Sequence, residues 1–280
     1  MIRPRRSVLY IPASNARALA KAAELACDTV ILDLEDAVAP EAKETARLQA
    51  VSAMAAGFGD REVVLRVNAL DSPWGEADLA AAAQALPDAV LAPKVDDVAS
   101  LHAYDGGLRA AADKLRLWAM IETPRGVLSL AAVAGEAVVT RLEVLVLGLN
   151  DLAAATRARQ TLGREPFVYA MSAAVTAARA HGLAVLDGVH GDLDDDAGFE
   201  AACRQGRDFG FDGKTLIHPR QIDAANRIFG PSAEETAWAR AVVDAFAHPA
   251  NAGKGVLRLQ GRMVERLHLA EAERVLAFSD

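Results

Sequence analysis

The chain is poor in cysteine, with only Cys27 and Cys203 among 280 residues. They stand far apart and outside any CxxC pattern, which argues against a disulfide framework and a thiolate zinc site. Aromatic residues are scarce at 5%, so a core must be built from Ala, Val and Leu. A content of 52% hydrophobic and 24% charged residues still belongs to a globular chain rather than a disordered one. No apolar run approaches the roughly 18 residues needed to cross a bilayer. The basic start at residues 3–6 leads only into a short run at 8–11 that Pro12 interrupts, too little for a secretory signal. A soluble, unprocessed, cytoplasmic protein is expected. Beyond that start there is no dense Lys/Arg tract, and formal net charge is −8. A small molecule is therefore the expected partner, with no nucleic acid and no membrane.

Short β-branched or Leu-rich runs alternate with Ala-rich segments of helical period, the pattern of successive βα units around a parallel sheet. Eight candidate strands are read at 8–11, 29–32, 63–67, 90–92, 117–121, 144–147, 184–186 and 214–217. Helices are expected at 15–26, 40–55, 74–85, 97–112, 126–133, 167–181 and 194–209, and two more at 219–229 and 233–247. The count predicts an α/β TIM (β/α)8 barrel with a C-terminal helical extension, in keeping with the roughly 250 residues such a barrel takes. The expected division is a catalytic barrel over 1–248 and an extension over 249–280. A breaker-rich segment at 248–255 opens the extension, before an apolar run at 256–259 and a helix at 267–278. Such a tail packs on its own barrel or covers a neighbouring subunit's active site.

Nearly every proposed strand ends in a charged or hydrogen-bonding residue, at the end where such barrels carry their chemistry. These are Ser14, the run Asp33-Leu34-Glu35-Asp36, Arg66 and Asn68, Lys94, Glu122, Asn150 and Asp151, Asp187, and His218. The set is rich in carboxylates and lacks the His or Cys cluster of a zinc site. Hard oxygen ligands from Glu122 and Asp151 suit Mg²⁺. Asp33, Glu35 and Asp36 would then orient groups around the metal or hold Arg66 in place; an Asx turn with a helix N-terminal charge is the competing reading. Arg66 sits in the strand Val-Val-Leu-Arg-Val-Asn, where a guanidinium has little reason to be unless it meets a carboxylate. Either it grips the carboxylate of a 2-oxo acid while a metal polarises the oxo group, or it forms a salt bridge to Glu35 or Asp36, and the two roles are compatible.

Several blocks together resemble the citrate lyase beta-subunit and malyl-CoA lyase family of CoA-ester lyases, within the HpcH/HpaI aldolase superfamily. The first is Arg6-Ser7-Val8-Leu9-Tyr10-Ile11-Pro12-Ala13 with Asn15, Arg17, Lys21 and Ala22. The second is Asp33-Leu34-Glu35-Asp36-Ala37-Val38 with Lys43, Ala46 and Arg47. Further matches are Arg66-Val67-Asn68, Pro93-Lys94-Val95, Ile121-Glu122-Thr123, a turn over 148–151, Gly210-Phe211-Asp212-Gly213-Lys214 and Ile217-His218-Pro219-Arg220-Gln221-Ile222. The likeness covers essentially the whole chain. It implies a Mg²⁺ site at Glu122 and Asp151, with Arg66 on the oxo-acid carboxylate beside Glu35 and Lys94, and Arg17 and Lys21 on the phosphates of CoA. It also implies a homotrimer or dimer of trimers, and Mg²⁺-dependent retro-Claisen or retro-aldol cleavage of a 3-hydroxyacyl thioester into an acyl-CoA and a 2-oxo acid. Asp36 joins Arg66 in the expected catalytic set.

One departure stands out. The family tail resembles Gly-x-Met-Ile-Asp, its Asp serving as acid/base over a neighbouring active site, whereas this chain has Gly261-Arg262-Met263-Val264-Glu265. Glu265 keeps a carboxylate but adds a methylene, a displacement of the kind that costs ~10²-fold in rate. It is either a base in a reshaped pocket or a solvated helix-start residue. Four outcomes stay open: a CoA-ester lyase, a beta subunit acting on citryl-acyl-carrier protein, a malyl-CoA-type thioesterase, and a non-catalytic CoA-metabolite binding protein.

Overall fold

The computed structural model describes residues 3–278. Eight parallel strands close into a barrel in chain order: β1 (Ser7–Pro12), β2 (Thr29–Asp33), β3 (Glu62–Arg66), β4 (Ala89–Ala92), β5 (Arg116–Ile121), β6 (Leu142–Leu147), β7 (Ala184–Asp187) and β8 (Gly213–Leu216). Closure is by β8 against β1, with Ser7 opposite Lys214 and Val8 opposite Thr215. Every strand expected from the apolar runs is present. The two-residue alternation of a strand sends Val8, Ile31, Val64, Leu91, Trp118 and Val146 into one interior cluster, while their neighbours face the helices.

Those helices are α1 (Ala16–Ala22), α2 (Lys43–Ala56), α3 (Gly75–Ala85), α4 (Val98–Gly107), α5 (Pro124–Gly135), α6 (Leu149–Thr156), α7 (Val168–Ala180), α8 (Asp196–Phe209) and α9 (Ile222–Phe229). Several start on side-chain caps. Asn15 accepts from the Ala18 N–H, and Thr123 accepts from Gly126 with Pro124 in the first turn, each satisfying a donor that the helix itself leaves free. α6 corrects the expected turn over 148–151: β6 ends at Leu147, Gly148 caps the helix, and Asp151 lies in its first turn. At eight residues this helix was too short to show a periodicity of its own.

The described residues fall into two compact units, 5–226 and 227–278 with residues 3 and 4. The second holds α10 (Ala233–Ala247), the antiparallel hairpin β9 (Val256–Leu259) and β10 (Arg262–Glu265), and α11 (Arg266–Leu276). Its core joins Ala239 and Val242 to Leu257, Val264 and Ala272, and the Arg262 guanidinium lies 5.2 Å from the Trp238 ring centre. The sequence placed residues 233–247 with the barrel, yet α10 shares a core with the tail. β10 was not anticipated either. Gln260 and Gly261 turn the hairpin with φ of +49° and +82°, the left-handed pair a two-residue hairpin demands.

Candidate active site

The C-terminal ends of β2 and β3 lie side by side, Asp33 opposite Arg66. Because both face the barrel interior, a guanidinium and a carboxylate meet where water is scarce. Asp33 accepts from Arg66 Nε at 2.7 Å and from Nη2 at 2.6 Å, the two-pronged geometry that makes such pairs strong. On the remaining edge Nη1 donates to Asp36 at 3.2 Å and stands 3.0 Å from Glu35 Oε2. The alignment to Glu35 is not that of a hydrogen bond, so this buried oxygen has no donor. The Tyr10 ring lies 4.8 Å from the guanidinium, and Met120 Sδ is 3.9 Å from Nη1. Burial works against the charge of Arg66, but Asp33 outweighs it and holds the group protonated. Burial pushes the Glu35 carboxyl up to about 8, against the pull of Arg66 and with the charges of Asp36, Glu122 and Asp33 adding to the rise.

Glu122 follows β5 directly and is 2% exposed. Its Oε1 accepts from the Lys94 backbone N–H at 2.9 Å, which Lys94 presents through a left-handed φ of +49°. Burial raises Glu122 to about 7; the Lys94 hydrogen bond opposes this and the nearby charge of Asp151 adds to it. Room for the carboxylate comes from Gly148. A Cβ at that position would lie 2.5 Å from Glu122 Cβ, 2.7 Å from Oε2 and 2.9 Å from Met120 Cε, so any other residue there displaces the acid. Glu122 in its glycine-made space and Asp151, whose charge acts on it, offer only hard oxygen, a donor set that fits Mg²⁺. Among the described residues no three His, Cys, Asp or Glu side chains converge on a metal position. A metal here would accordingly have two protein ligands, a number Mg²⁺ commonly accepts with water and substrate oxygens completing its shell.

The acidic turn is pinned from behind. The buried Lys43 ammonium donates to the carbonyls of Leu34 at 2.9 Å and Glu35 at 2.7 Å, and to Asn68 Oδ1 at 2.7 Å. Asn68 Nδ2 donates to Leu34 O and to Asp78, and Arg47 Nε donates to Asp78 at 2.6 Å. Lys43, Asn68, Arg47 and Asp78 thus fix where Glu35 and Asp36 point. Asp78 carried no signal in the sequence, since an acid in the first turn of α3 is ordinary helix punctuation.

Arg66 meets Glu35 and Asp36, and the charges of Asp151, Arg66 and Asp36 act on Glu122. Lys94 contributes its backbone to this group while its side chain is exposed. Arg17 and Lys21 lie exposed on α1. Glu265 belongs to the other compact unit, at the end of β10, where its backbone N–H donates to His268 Nδ1 at 2.9 Å. Three strand-end residues have local partners: Asp187, on the helix side of β7, pairs with Lys214 and Arg164, His218 Nδ1 accepts from the Arg220 N–H, and Asn150 Oδ1 accepts from Gln160.

Residues 6–219 match the HpcH/HpaI aldolase/citrate lyase family model. The chain is 45% identical over 275 residues to a (3S)-malyl-CoA thioesterase of Cereibacter sphaeroides, covering 98% of this chain and 94% of that one. It is 34% identical to the citrate lyase subunit beta of Escherichia coli, over 98% and 93% of the two chains. The crystal structure of CitE from Mycobacterium tuberculosis in complex with magnesium, acetoacetate and coenzyme A superposes with a TM-score of 0.80 at 30% identity, covering 99% of each chain. Barrel, acidic mouth and sequence likeness agree: this chain belongs to the HpcH/HpaI aldolase/citrate lyase family.

Proposed function

We propose that the chain is a Mg²⁺-dependent carbon–carbon lyase that cleaves or condenses a carboxylated 3-hydroxyacyl-CoA, of the malyl, citramalyl or citryl type, with an acyl-CoA and a 2-oxo acid on the other side of the reaction. The observation that carries this reading is the Nη1 edge of Arg66, set beside the Glu122 and Asp151 pair. Asp33 holds the guanidinium in place beside the Tyr10 ring, so a substrate carboxylate meets a group already oriented, and the entropy of ordering it is not lost on binding. Glu122 and Asp151 would hold the metal, which supplies Lewis-acid polarisation of the oxygen that becomes the oxo group.

Cleavage needs a base to take the hydroxyl proton and an acid to return a proton to the carbon that leaves as the thioester enolate. Glu265, supplied by the tail of a second copy in a homotrimer or dimer of trimers, takes the first role. The solvent-facing Asp36, whose side chain is 63% exposed, exchanges protons with water at the mouth. Arg66 retains the oxo acid while the bond breaks, with Glu35 beside it and Lys94 at the rim, and Arg17 and Lys21 meet the phosphates of CoA. Cytoplasmic residence accords with this substrate, and no helix among the described residues is long and apolar enough to cross a membrane.

A second reading is thioester hydrolysis, favoured by the 45% identical relatives named (3S)-malyl-CoA thioesterase. Here the same site binds the same substrate, but water attacks the thioester carbonyl. The test is a Mg²⁺-dependent assay on malyl-, citramalyl- and citryl-CoA that reads 2-oxo acid and free CoA separately, with Glu122→Ala as control. Oxo acid lost in the variant supports the lyase; free CoA without oxo acid replaces it with the thioesterase. Silence on both channels moves the reading to citryl-acyl-carrier protein or to a binding protein.

A further inference from the structure

On the outer face of the barrel, below the mouth, lies a buried charge cluster that the proposed chemistry does not use. Asp187 ends β7 on the side opposite the interior residue Leu186, and it is fully buried. Lys214 of β8, 1% exposed, donates to Asp187 Oδ2 at 2.8 Å and to Gly188 O at 2.5 Å. Arg164 Nη1 reaches both Asp187 oxygens at 2.8 and 2.7 Å, its Nη2 donates to Ala202 O and its Nε to Gln205. Thr215 Oγ1 donates to Asp187 O at 3.0 Å. Two buried cations thus share one buried carboxylate. An ion pair kept only for packing would need one of them, since an uncompensated buried charge costs stability.

What the cluster holds is the segment that carries Asp151. At the start of α6, Gly188 is pressed against the Gly148 turn. A Cβ on Gly188 would lie 2.8 Å from Leu147 O, 3.1 Å from Leu149 Cγ and 3.3 Å from Leu149 N. Lys214 fixes Gly188 in that place through its carbonyl. At the far end α6 stops on Arg157, and the following loop closes on Arg164, with left-handed φ values of +58° and +55°. An L-residue keeps such a backbone only where the surrounding structure imposes it. Arg164 is tied back to Asp187. The turn before α6 and the end of the loop after it therefore both trace to one carboxylate, and α6 between them carries Asp151, whose charge acts on Glu122.

We infer that Asp187, with Lys214 and Arg164, is the positioning device that sets Asp151 against Glu122, so that the metal site's geometry is governed from outside the barrel. This rests on the reading of Glu122 and Asp151 as metal ligands. Removing either cation leaves a balanced buried pair, so Lys214→Met and Arg164→Met are expected to fold. Purified full-length protein is titrated with Mn²⁺ and followed by electron paramagnetic resonance, with thermal unfolding of each metal-free variant alongside.

The expected result is a 10–100-fold weaker Mn²⁺ affinity in both variants, the loss that outer-sphere substitutions produce at metal sites, with far-UV dichroism unchanged. Gly188→Ala leaves every charge in place and presses on Leu147 and Leu149 directly; it is expected to weaken Mn²⁺ likewise, and it serves if a charge variant fails to fold. Unchanged Mn²⁺ affinity in any folded one of the three, with the wild type binding, overturns the positioning role alone. A wild type that binds no Mn²⁺ overturns the ligand assignment and this inference with it.

Discussion

At the N-terminal end of the barrel Arg5 grips Glu62 through Nε at 2.7 Å and Nη2 at 2.6 Å, reaches Glu143 at 2.8 Å, and lies 5.2 Å from the Trp118 ring centre. At the C-terminal end Arg66 grips Asp33 with the same two-pronged geometry and lies 4.8 Å from Tyr10. The parts are alike, but the balance is not. At the lower end both Glu62 oxygens are engaged, Oε2 by Thr29 as well. At the upper end one guanidinium serves Asp33, Glu35 and Asp36, Glu122 and Asp151 repel one another beside it, and one Glu35 oxygen has no donor. A satisfied ion pair closes a core. An unsatisfied excess of carboxylate is tolerated where a cation and a substrate are to complete it.

The comparison breaks or sharpens on substitution. The largest expected effect is at the upper end: Arg66→Met should lower kcat/KM by about 10³-fold or more, as for removal of a preorganised charge at a reacting group, and it should also destabilise the fold because Asp33 stays buried without its cation. Arg5→Met should destabilise by about 3 kcal/mol because Glu62 stays buried without its cation, while Mn²⁺ affinity in the folded protein is unchanged. Adding Glu62→Leu should recover much of that stability, measured by denaturant unfolding. If the folded Arg5→Met variant loses activity as deeply as Arg66→Met, the two ends do not differ as argued.

Gly148→Ala should weaken Mn²⁺ about 10–100-fold, because its methyl occupies the place of Glu122 Oε2. Glu265→Gln should slow turnover of the true substrate by about tenfold or more if it is the base, and leave it unchanged if Glu265 only starts α11.

The pH dependence is the mildest test. Glu35, at about 8, and Glu122, at about 7, are both raised from 4.5, so the metal-free fold keeps protons that the unfolded chain has released. Stability from these groups is present below pH 4.5 and falls as pH rises through 7 to 8. With Glu122 holding the metal as proposed, its proton leaves on binding, so Mn²⁺ affinity should drop about tenfold per unit below pH 7. A pH-independent affinity between 5 and 7 would contradict the raised Glu122.

Much of the architecture was legible because period and position carry it. All eight strands and the meeting of Arg66 with Glu35 and Asp36 followed from apolar runs ending in polar residues. The helix carrying Asp151 was read as a turn, since its eight residues blend into the apolar end of β6. Asp33 was grouped with its acidic neighbours, yet it is the principal partner of Arg66, a distinction of interior against outward alternation that shows only once the barrel closes. Asp187 was read as facing the mouth for the same reason, and it faces the helices instead.

The sequence by itself determined the barrel, the acidic end of its strands and the place of Arg66 among them, because hydrophobic period and residue type are local properties. Tertiary structure decided which carboxylate is paired, which is left wanting a cation, and which glycines must be glycines. Those depend on distances between residues many positions apart, such as Gly148 against Glu122 and Lys214 against Gly188, and no local pattern encodes them.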